Sequence, residues 1–340
     1  MELSSLELCA GAGGQAVGLE NAGYEHVALV ENDMHACETL RVNRPDWNVC
    51  ESDLREFSAK KYRGVDLVAG GVPCPPFSTA GKQLGTDDER NLFDEALRIV
   101  KESNPKAVML ENVRGLLDAK FSDYRKEISF QLKEMGYLSD WKLLHASDYG
   151  VPQLRPRVVL VALKSRYAGY FSWPKAFSVP PKSVGETLYD LMSENKWSGA
   201  KAWKKKANRI APTLVGGSKK HGGPDLGPTR AKRAWAELGV NGHLVAYDSP
   251  ERDFKGTKEG FENMPYLSLR MAARIQGFPD SWEFFGKKTH AYRQIGNAFP
   301  PPVAEAVGKA IKAAISKEGQ KNETLSNAMK LLVQMDLLAS

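Results

Sequence analysis

The stretch LELCAGAGGQAVGLENAGYEHVALVE, residues 6–31, decides the fold of this chain. A short apolar strand at 6–8 enters the glycine turn Gly11-Ala12-Gly13-Gly14, and a helix over 15–21 leads to a second strand at 27–30. Glycine lets the backbone of such a turn approach a ligand closely at the amino end of a helix. Glu31 ends the second strand, where a carboxylate can accept hydrogen bonds from both hydroxyls of a ribose. The stretch predicts a binding site for a nucleoside-containing ligand and does not distinguish NAD from S-adenosylmethionine.

The same alternation of strand and helix continues along the chain. Four more strands are predicted at 47–50, 65–69, 107–110 and 157–162, and further helices at 92–101, 124–134, 267–275 and 303–315. Short apolar strands that alternate with helices predict an α/β fold with a doubly wound, mostly parallel sheet. After about residue 164, frequent Pro and Gly indicate a second, smaller domain of loops and short strands.

Five residues suited to ligand binding or catalysis fall at the carboxyl ends of predicted strands. They are Gly11, Glu31, Asp53, Cys74 and Glu111. Ligands of doubly wound sheets bind at this edge. The sequence therefore predicts one shared site there.

Cys74 stands in the turn Pro73-Cys74-Pro75-Pro76-Phe77-Ser78. Proline fixes φ and removes backbone donors, so the turn is stiff and presents the thiol in one place. A thiol held in this way indicates a nucleophile, although an isolated cysteine is more often a small buried hydrophobe. That packing interpretation is retained for Cys9, Cys37 and Cys50.

Two further polar groups adjoin predicted strands. Glu111 follows an apolar strand directly, where a lone buried carboxylate would be costly, so it is solvated, paired or functional. Arg155 and Arg157 precede the last strand on one face. They form either a salt-bridge cluster or a clamp for carboxylate or phosphate.

Positive charge is concentrated between Lys196 and Arg233. This segment has eleven Lys and Arg and one acid, Asp225, a net +10, whereas the whole chain is +6 and the remainder is therefore −4. A solvated surface is one interpretation, but so steep an asymmetry favours binding to a phosphate backbone.

Composition limits the protein class. The 340 residues are 42% hydrophobic, enough for two domains. The first residues do not show a basic region followed by an apolar stretch, so we expect no signal peptide. No apolar run approaches the roughly 20 residues needed to span a bilayer. The four cysteines lack zinc-site spacing, so we expect no metal and a reduced, cytoplasmic setting.

Taken together, the motifs resemble those of the DNA cytosine-5 methyltransferases, in family order and with family-like spacing. The matching blocks are residues 8–14, 73–78, 111–113, 153–157, 274–279 and 294–298, and Pro212-Thr213-Leu214 resembles the signature of the recognition region. Cys9 departs from the family, which has phenylalanine there. The resemblance implies a Rossmann-like methyltransferase fold, with a discontinuous catalytic domain (1–170 and 287–340) and a target-recognition domain (171–286).

The resemblance also implies the reaction and the roles of the residues. Cys74 would attack C6 of a cytosine flipped out of duplex DNA, and C5 would take the methyl group of S-adenosylmethionine, leaving S-adenosylhomocysteine. Glu111, with a raised pKa, would protonate N3. Arg157 would bind O2 and orient Glu111, and Arg155 would hold Arg157 or a phosphate.

The remaining site residues are predicted by motif and charge. The cofactor set is Cys9, Ala10, Gly11, Ala12, Gly13, Gly14, Glu31, Asn32, Asp53, Leu54, Pro73, Leu92, Asn297 and Ala298. The DNA set is Ser78, Lys82, Gln83, Arg90, Lys204, Lys205, Thr213, Lys219, Lys220 and Arg230, with residues 78–91 as a lid.

Other functions explain less of the sequence. A nicotinamide oxidoreductase accounts for Gly11 and Glu31 but not for Cys74, Glu111 and Arg157. The long basic region, without the short Cys-Phe-Thr signature of the tRNA cytosine methyltransferases, speaks against that related group. An inactive DNA-binding protein has no use for Cys74. We expect a monomeric, nucleoid-associated bacterial enzyme without membrane contact, and a separate restriction endonuclease is a candidate partner.

Overall fold

The computed structural model describes residues 2–73, 92–217 and 223–317. Within these ranges seven strands form one sheet in the order β3-β2-β1-β4-β5-β7-β6. The strands are β1 (Leu3–Leu8), β2 (Tyr24–Glu31), β3 (Val49–Glu51), β4 (Leu67–Gly70), β5 (Ala107–Val113), β6 (Tyr137–His145) and β7 (Pro156–Lys164). Strands β1 to β5 are parallel, and β7 is antiparallel to both of its neighbours, β5 and β6. The predicted mostly parallel sheet is confirmed.

Helices cover both faces of this sheet. They are α1 (Gly14–Asn21), α2 (Met34–Asn43), α3 (Phe93–Ser103), α4 (Ser122–Glu134), α5 (Ser165–Ala168), α6 (Val184–Met192), α7 (Ala200–Lys206), α8 (Thr229–Glu237), α9 (Leu269–Gln276), α10 (Lys288–Asn297) and α11 (Pro301–Ser316). Side chains of β1 alternate between the faces: Leu3 packs in the cluster that contains α11, and Leu6 and Leu8 pack with α3 and α4. The core is therefore two apolar layers with the sheet between them.

Helix α11 returns the chain to its first helix. A side chain at Gly18 of α1 would lie 2.3 Å from the Pro301 carbonyl oxygen, so glycine permits the close contact. The C-terminal part of the described chain thus packs beside the glycine turn at residues 11–14.

A third apolar cluster joins residues 184–295 to the first helices. It includes Ala16 and Leu40 as well as Trp197, Trp203 and Trp235, all three of which are buried. These tryptophans lie in or beside the basic segment, but they belong to the core and do not face a ligand.

The sequence-based prediction differs from the structure at three places. β6 was not predicted, because its sequence YLSDWKLLH mixes polar and apolar residues at the edge of the sheet. β7 was predicted in position but runs antiparallel. The second region holds helices α6 to α9, of which only α9 was predicted, and its described strands are the two-residue pair β8 (Val245–Ala246) and β9 (Leu267–Ser268). Helix α6 begins with a capping box of Ser183 and Glu186, a start signal that the sequence contained.

Candidate active site

The glycine turn lies directly after β1 and is fixed by Glu31 of β2. Gly11 and Gly13 have φ of 54° and 86°, left-handed values that favour glycine. The Gly11 N–H donates to Oε2 of Glu31 at 2.8 Å. Oε1 accepts from the N–H groups of Asn32 and Asp33, each at 2.8 Å. The two strand ends are therefore joined through one carboxylate.

This bonding limits what else Glu31 can accept. A carboxylate has about four acceptor positions, and three are occupied by backbone N–H groups. Burial raises the pKa of Glu31, and the three N–H donors oppose that rise. Counting donors from the described residues, Oε2 retains one acceptor position. The contact of Glu31 with a ribose stays a prediction.

The turn is also enclosed from the C-terminal side. A Cβ on Gly14 would lie 2.3 Å from the Phe299 carbonyl oxygen and 3.0 Å from Cβ of Ala298. Trp282 Nε1 donates to the Ala12 carbonyl at 3.0 Å, and the Trp282 ring packs against Gly13. Sequence reasoning missed Trp282, although a tryptophan three residues after Pro279 of a recognised block was a usable signal.

Cys9 and Asp53 are two of the predicted cofactor residues near this turn. Burial raises the pKa of the Cys9 thiol, and the charges of Glu31 and Asp53 raise it further, which indicates that Cys9 lies near both carboxylates. Asp53 pairs with Arg55 at 2.8 Å, and this guanidinium lowers the pKa of Asp53. Cys9 also has φ of 52°, rare for a residue other than glycine.

Of the remaining predicted cofactor residues, Ala10, Ala12, Leu54 and Leu92 are buried, Asn32, Pro73 and Asn297 are exposed, and Ala298 lies between. Asn297 is not brought beside Gly11 by any described contact. Its side chain donates to the Gly217 carbonyl oxygen at 3.2 Å. Ala298, the next residue, is the one that reaches the turn.

Glu111 and Arg157 form a buried ion pair at the same edge. Arg157 Nε lies 2.7 Å from Glu111 Oε1, and the side chains are 13% and 10% exposed. Burial raises the pKa of Glu111 despite the opposing charges of Arg157 and Arg155, which is the direction that a proton donor needs. Arg157 Nη1 donates to the Pro156 carbonyl, and Nη2 has no hydrogen bond to a residue in the described ranges.

The chain that enters the cysteine turn is fixed beside this pair. Asn112 Nδ2 donates to the Val72 carbonyl at 2.9 Å. A Cβ on Gly71 would lie 3.3 Å from Glu111 Oε2. Gly71 and Val72 are thus fixed beside Glu111 and Asn112, and Cys74 follows two residues after Val72 in the sequence.

Arg155 does not have the role that the sequence suggested. It is fully buried and donates to three backbone carbonyls, those of Leu214 (3.0 Å), Gly296 (2.9 Å) and Ala298 (2.7 Å). It makes no hydrogen bond to Arg157 and has no exposed surface for a phosphate. The prediction that it holds Arg157 or a phosphate was wrong, because its side chain enters the core and Arg157 points to Glu111.

The structure describes four of the predicted DNA contacts. Lys205 and Arg230 are exposed, and Thr213 and Lys204 are partly exposed. Lys204 Nζ lies 4.7 Å from the Tyr189 ring centre. Cys74, Ser78, Lys82, Gln83, Arg90, Lys219 and Lys220 lie outside the described residues.

Some positive charge of the basic segment is already paired. Lys232 contacts Asp225 at 3.0 Å, and Arg209 contacts Glu237 at 2.9 Å. The three lysines at the end of α7 form no ion pair with residues in the described ranges. Lys205 and Lys206 are exposed, so their charges face solvent.

Two classes of feature are absent from the described ranges. No cluster of three His, Cys, Asp or Glu there could hold a metal ion. No helix in these ranges has the length and apolarity to cross a membrane.

Comparison with known proteins identifies the family. The model of the C-5 cytosine-specific DNA methylase family matches residues 3–313. The chain belongs to this family and is a DNA (cytosine-5-)-methyltransferase.

Individual relatives extend the match over nearly the whole chain. It is 58% identical over 324 residues to the Type II methyltransferase M.NgoMIV of Neisseria gonorrhoeae, covering 94% of this chain and 100% of that protein. It is 56% identical over 322 residues to M.NaeI of Lentzea aerocolonigenes, covering 94% of this chain and 76% of that protein.

Solved structures agree with the fold at low sequence identity. The Entamoeba histolytica methyltransferase EhMeth superposes with a TM-score of 0.65 at 16% identity, covering 93% of this chain and 99% of that one. The Dnmt2 methyltransferase of S. pombe gives 0.60 at 20% identity, with 93% and 99% covered. These similarities confirm the predicted fold class.

Proposed function

We propose that the enzyme transfers a methyl group from S-adenosylmethionine to C5 of a cytosine flipped out of a specific duplex DNA sequence. A covalent bond from Cys74 to C6 of the base is the intermediate. The observation that carries this proposal is the buried Glu111–Arg157 pair, beside the chain that leads to Cys74 and on the sheet edge that holds the glycine turn.

The described residues fit the methyl donor. The backbone at Gly11 is open to a ligand, and Ala298 and Trp282 enclose the turn on its other side. Among the described residues, Glu31 keeps one acceptor position for a ribose hydroxyl. When bound, S-adenosylmethionine supplies an electrophilic methyl group on a sulfonium. Cys9 and Asp53 would line the adenine side.

The chain's own groups would activate the base. The Cys74 thiolate adds to C6, the electron pair of the C5–C6 double bond forms a C4–C5 double bond, and the C4–N3 pair takes the proton that Glu111 donates to N3. C5 is then nucleophilic and would take the methyl carbon as the carbon–sulfur bond of the sulfonium breaks, which leaves S-adenosylhomocysteine. Loss of the C5 proton to water and expulsion of the Cys74 thiolate restore the double bond, and Glu111 recovers the N3 proton.

Arg157 would bind both Glu111 and the cytosine in this step. Its Nε already holds Glu111 Oε1, and Nη2, which bonds to no described residue, would donate to O2 of cytosine. A stacked cytosine cannot reach these groups, so the base must leave the duplex, as methyltransferases generally require.

The relatives suggest the biological setting. Both are named Type II methyltransferases, of bacteria, so we propose that this enzyme protects DNA in a restriction–modification system. It would act on cytoplasmic DNA as a monomer, with a cognate endonuclease that acts separately. The catalytic domain would comprise residues 1–170 and 287–340, and the recognition domain residues 171–286.

Bisulfite sequencing of DNA from cells that express the chain tests the proposal. We expect cytosines protected at one recurring sequence, and none protected in cells that express Cys74→Ser. Glu111→Gln should lower kcat by 10²–10⁴-fold, the usual contribution of a general acid, while DNA is still bound. Glu127→Gln on α4 is the matched control and should leave kcat unchanged. No protected cytosine with the folded wild-type chain would overturn the proposal.

A further inference from the structure

Three polar side chains form a network inside the protein between β7 and α9. Gln153, Arg155 and Gln276 are each 0% exposed. Gln153 Nε2 donates to Gln276 Oε1 at 2.8 Å and to the Ile275 carbonyl at 3.3 Å. Every polar side-chain atom of these residues except Arg155 Nε is hydrogen-bonded. We call these three residues the buried polar network.

One side of the network holds the backbone of residues 211–214. The Leu214 N–H donates to Gln153 Oε1 at 2.8 Å, and the Leu214 carbonyl accepts from Arg155 Nη1 at 3.0 Å. The N–H of Leu154 donates to the Ala211 carbonyl at 3.0 Å. Both backbone polar groups of Leu214 are thus fixed by the network, next to Thr213, a proposed DNA contact.

The other side holds the carboxyl end of α10. Arg155 Nη2 donates to the carbonyls of Gly296 (2.9 Å) and Ala298 (2.7 Å). Gln276 Nε2 also donates to the Ala298 carbonyl, at 2.5 Å. A cation at a helix carboxyl end is electrostatically favourable. Ala298 in turn lies against Gly14 of the glycine turn.

The two sides also touch directly. A Cβ on Gly296 would lie 2.5 Å from Cα of Gly216. If one segment moved without the other, a buried guanidinium or amide donor would lose its acceptor, which is costly in the protein interior. The segments 211–216 and 296–298 are therefore expected to become ordered together.

We infer that the buried polar network couples segment 211–216, which contains the proposed DNA contact Thr213, to segment 296–298, which packs against the glycine turn of the methyl-donor site. Arg155 and Gln276 are its positioning residues. Binding of DNA or of the methyl donor orders both segments. The ligand that binds second therefore finds its own segment already ordered. Such coupling is reciprocal: each ligand tightens the other by the same factor. This inference rests on the proposed function, since that assigns the ligands of the two segments.

Amide hydrogen exchange in the wild-type enzyme tests the coupling without a mutation. S-Adenosylhomocysteine alone should slow exchange of the peptide that contains Leu214, and a duplex taken from the methylated sequence should slow exchange at 296–298. If S-adenosylhomocysteine gives no binding heat in calorimetry, the proposed function fails. If it binds and exchange at Leu214 is unchanged, the coupling is refuted.

A variant then tests the network itself. Gln276→Met keeps the volume, removes the hydrogen bonds to Gln153 and Ala298, and leaves the three bonds of Arg155 in place. In the wild type we expect duplex DNA to tighten S-adenosylhomocysteine binding about tenfold, within the usual range for coupled sites, and in the variant less than about twofold. Gln131→Leu, which loses only a bond to Glu127 on its own helix, should keep the tenfold effect. Equal coupling in all three proteins would refute the role of the network.

Discussion

Glu7 should make the stability of this enzyme fall as pH rises. It lies near the carboxyl end of β1, is 0% exposed, and neither carboxyl oxygen has a hydrogen-bond partner in the described ranges. Burial raises its pKa from 4.5 to about 8. The folded protein therefore keeps Glu7 protonated at pH values where the unfolded chain releases the proton.

The sign and size of the effect follow from this difference. Between the two pKa values the folded state binds more protons than the unfolded state, so the free energy of unfolding decreases with pH. Integration from pH 5.5 to pH 8 with pKa values of 4.5 and about 8 gives a loss of about 3 kcal/mol. Glu7→Gln has nearly the same shape and no titrating group, so it should lack this loss.

Urea unfolding of both proteins at pH 5.5 and pH 8 measures the difference. Other titrating groups, including His26, affect both proteins alike and cancel in the comparison. Glu25→Gln, at an exposed position of β2, is the control and should follow the wild type. If wild type and Glu7→Gln lose the same free energy over this range, Glu7 is not a buried neutral acid and the reasoning fails.

Two further perturbations test the packing of the glycine turn and the basic segment. Gly14→Ala places a methyl group 2.3 Å from the Phe299 carbonyl, so we expect about 1–3 kcal/mol of destabilisation and weaker S-adenosylhomocysteine binding, whereas Gly223→Ala, with open space around it, should change neither. Thermal melting and calorimetry measure both, and equal behaviour of the two variants would contradict the contact. Replacing Lys204, Lys205 and Lys206 with Gln should reduce the slope of log K for DNA against log salt by about 0.9 per lost phosphate contact. An unchanged slope would place the phosphate contacts elsewhere.

Local patterns were sufficient to predict the sheet and the positions of its ligand-bearing ends. Continuous apolar runs marked β2, β4, β5 and β7, because strands buried on both faces need them. β6 lacked such a run because it lies at the edge. The direction of β7 was not predicted, because the apolar pattern of a buried strand is the same whether the strand is parallel or antiparallel to its neighbour. Its pairing with β5 is set by long-range packing.

The candidate site was predictable where one residue type at a strand end determines the chemistry, as for Glu31 and Glu111. It was not predictable where function depends on which way a side chain points. Arg155 and Arg157 are two residues apart in one motif, yet one enters the core and the other pairs with Glu111. Trp282 was missed because its contact with Ala12 spans most of the chain.

The covalent step at Cys74 is the central claim, and a duplex with 5-fluorocytosine at the methylated position tests it most directly. Fluorine at C5 cannot leave as a proton, so after methyl transfer the Cys74 thiolate cannot be expelled. We predict a protein–DNA adduct that survives denaturing electrophoresis when S-adenosylmethionine is present, and that the Cys74→Ser protein lacks. A wild-type enzyme that methylates the ordinary duplex and forms no adduct with the fluorinated one would contradict the covalent mechanism.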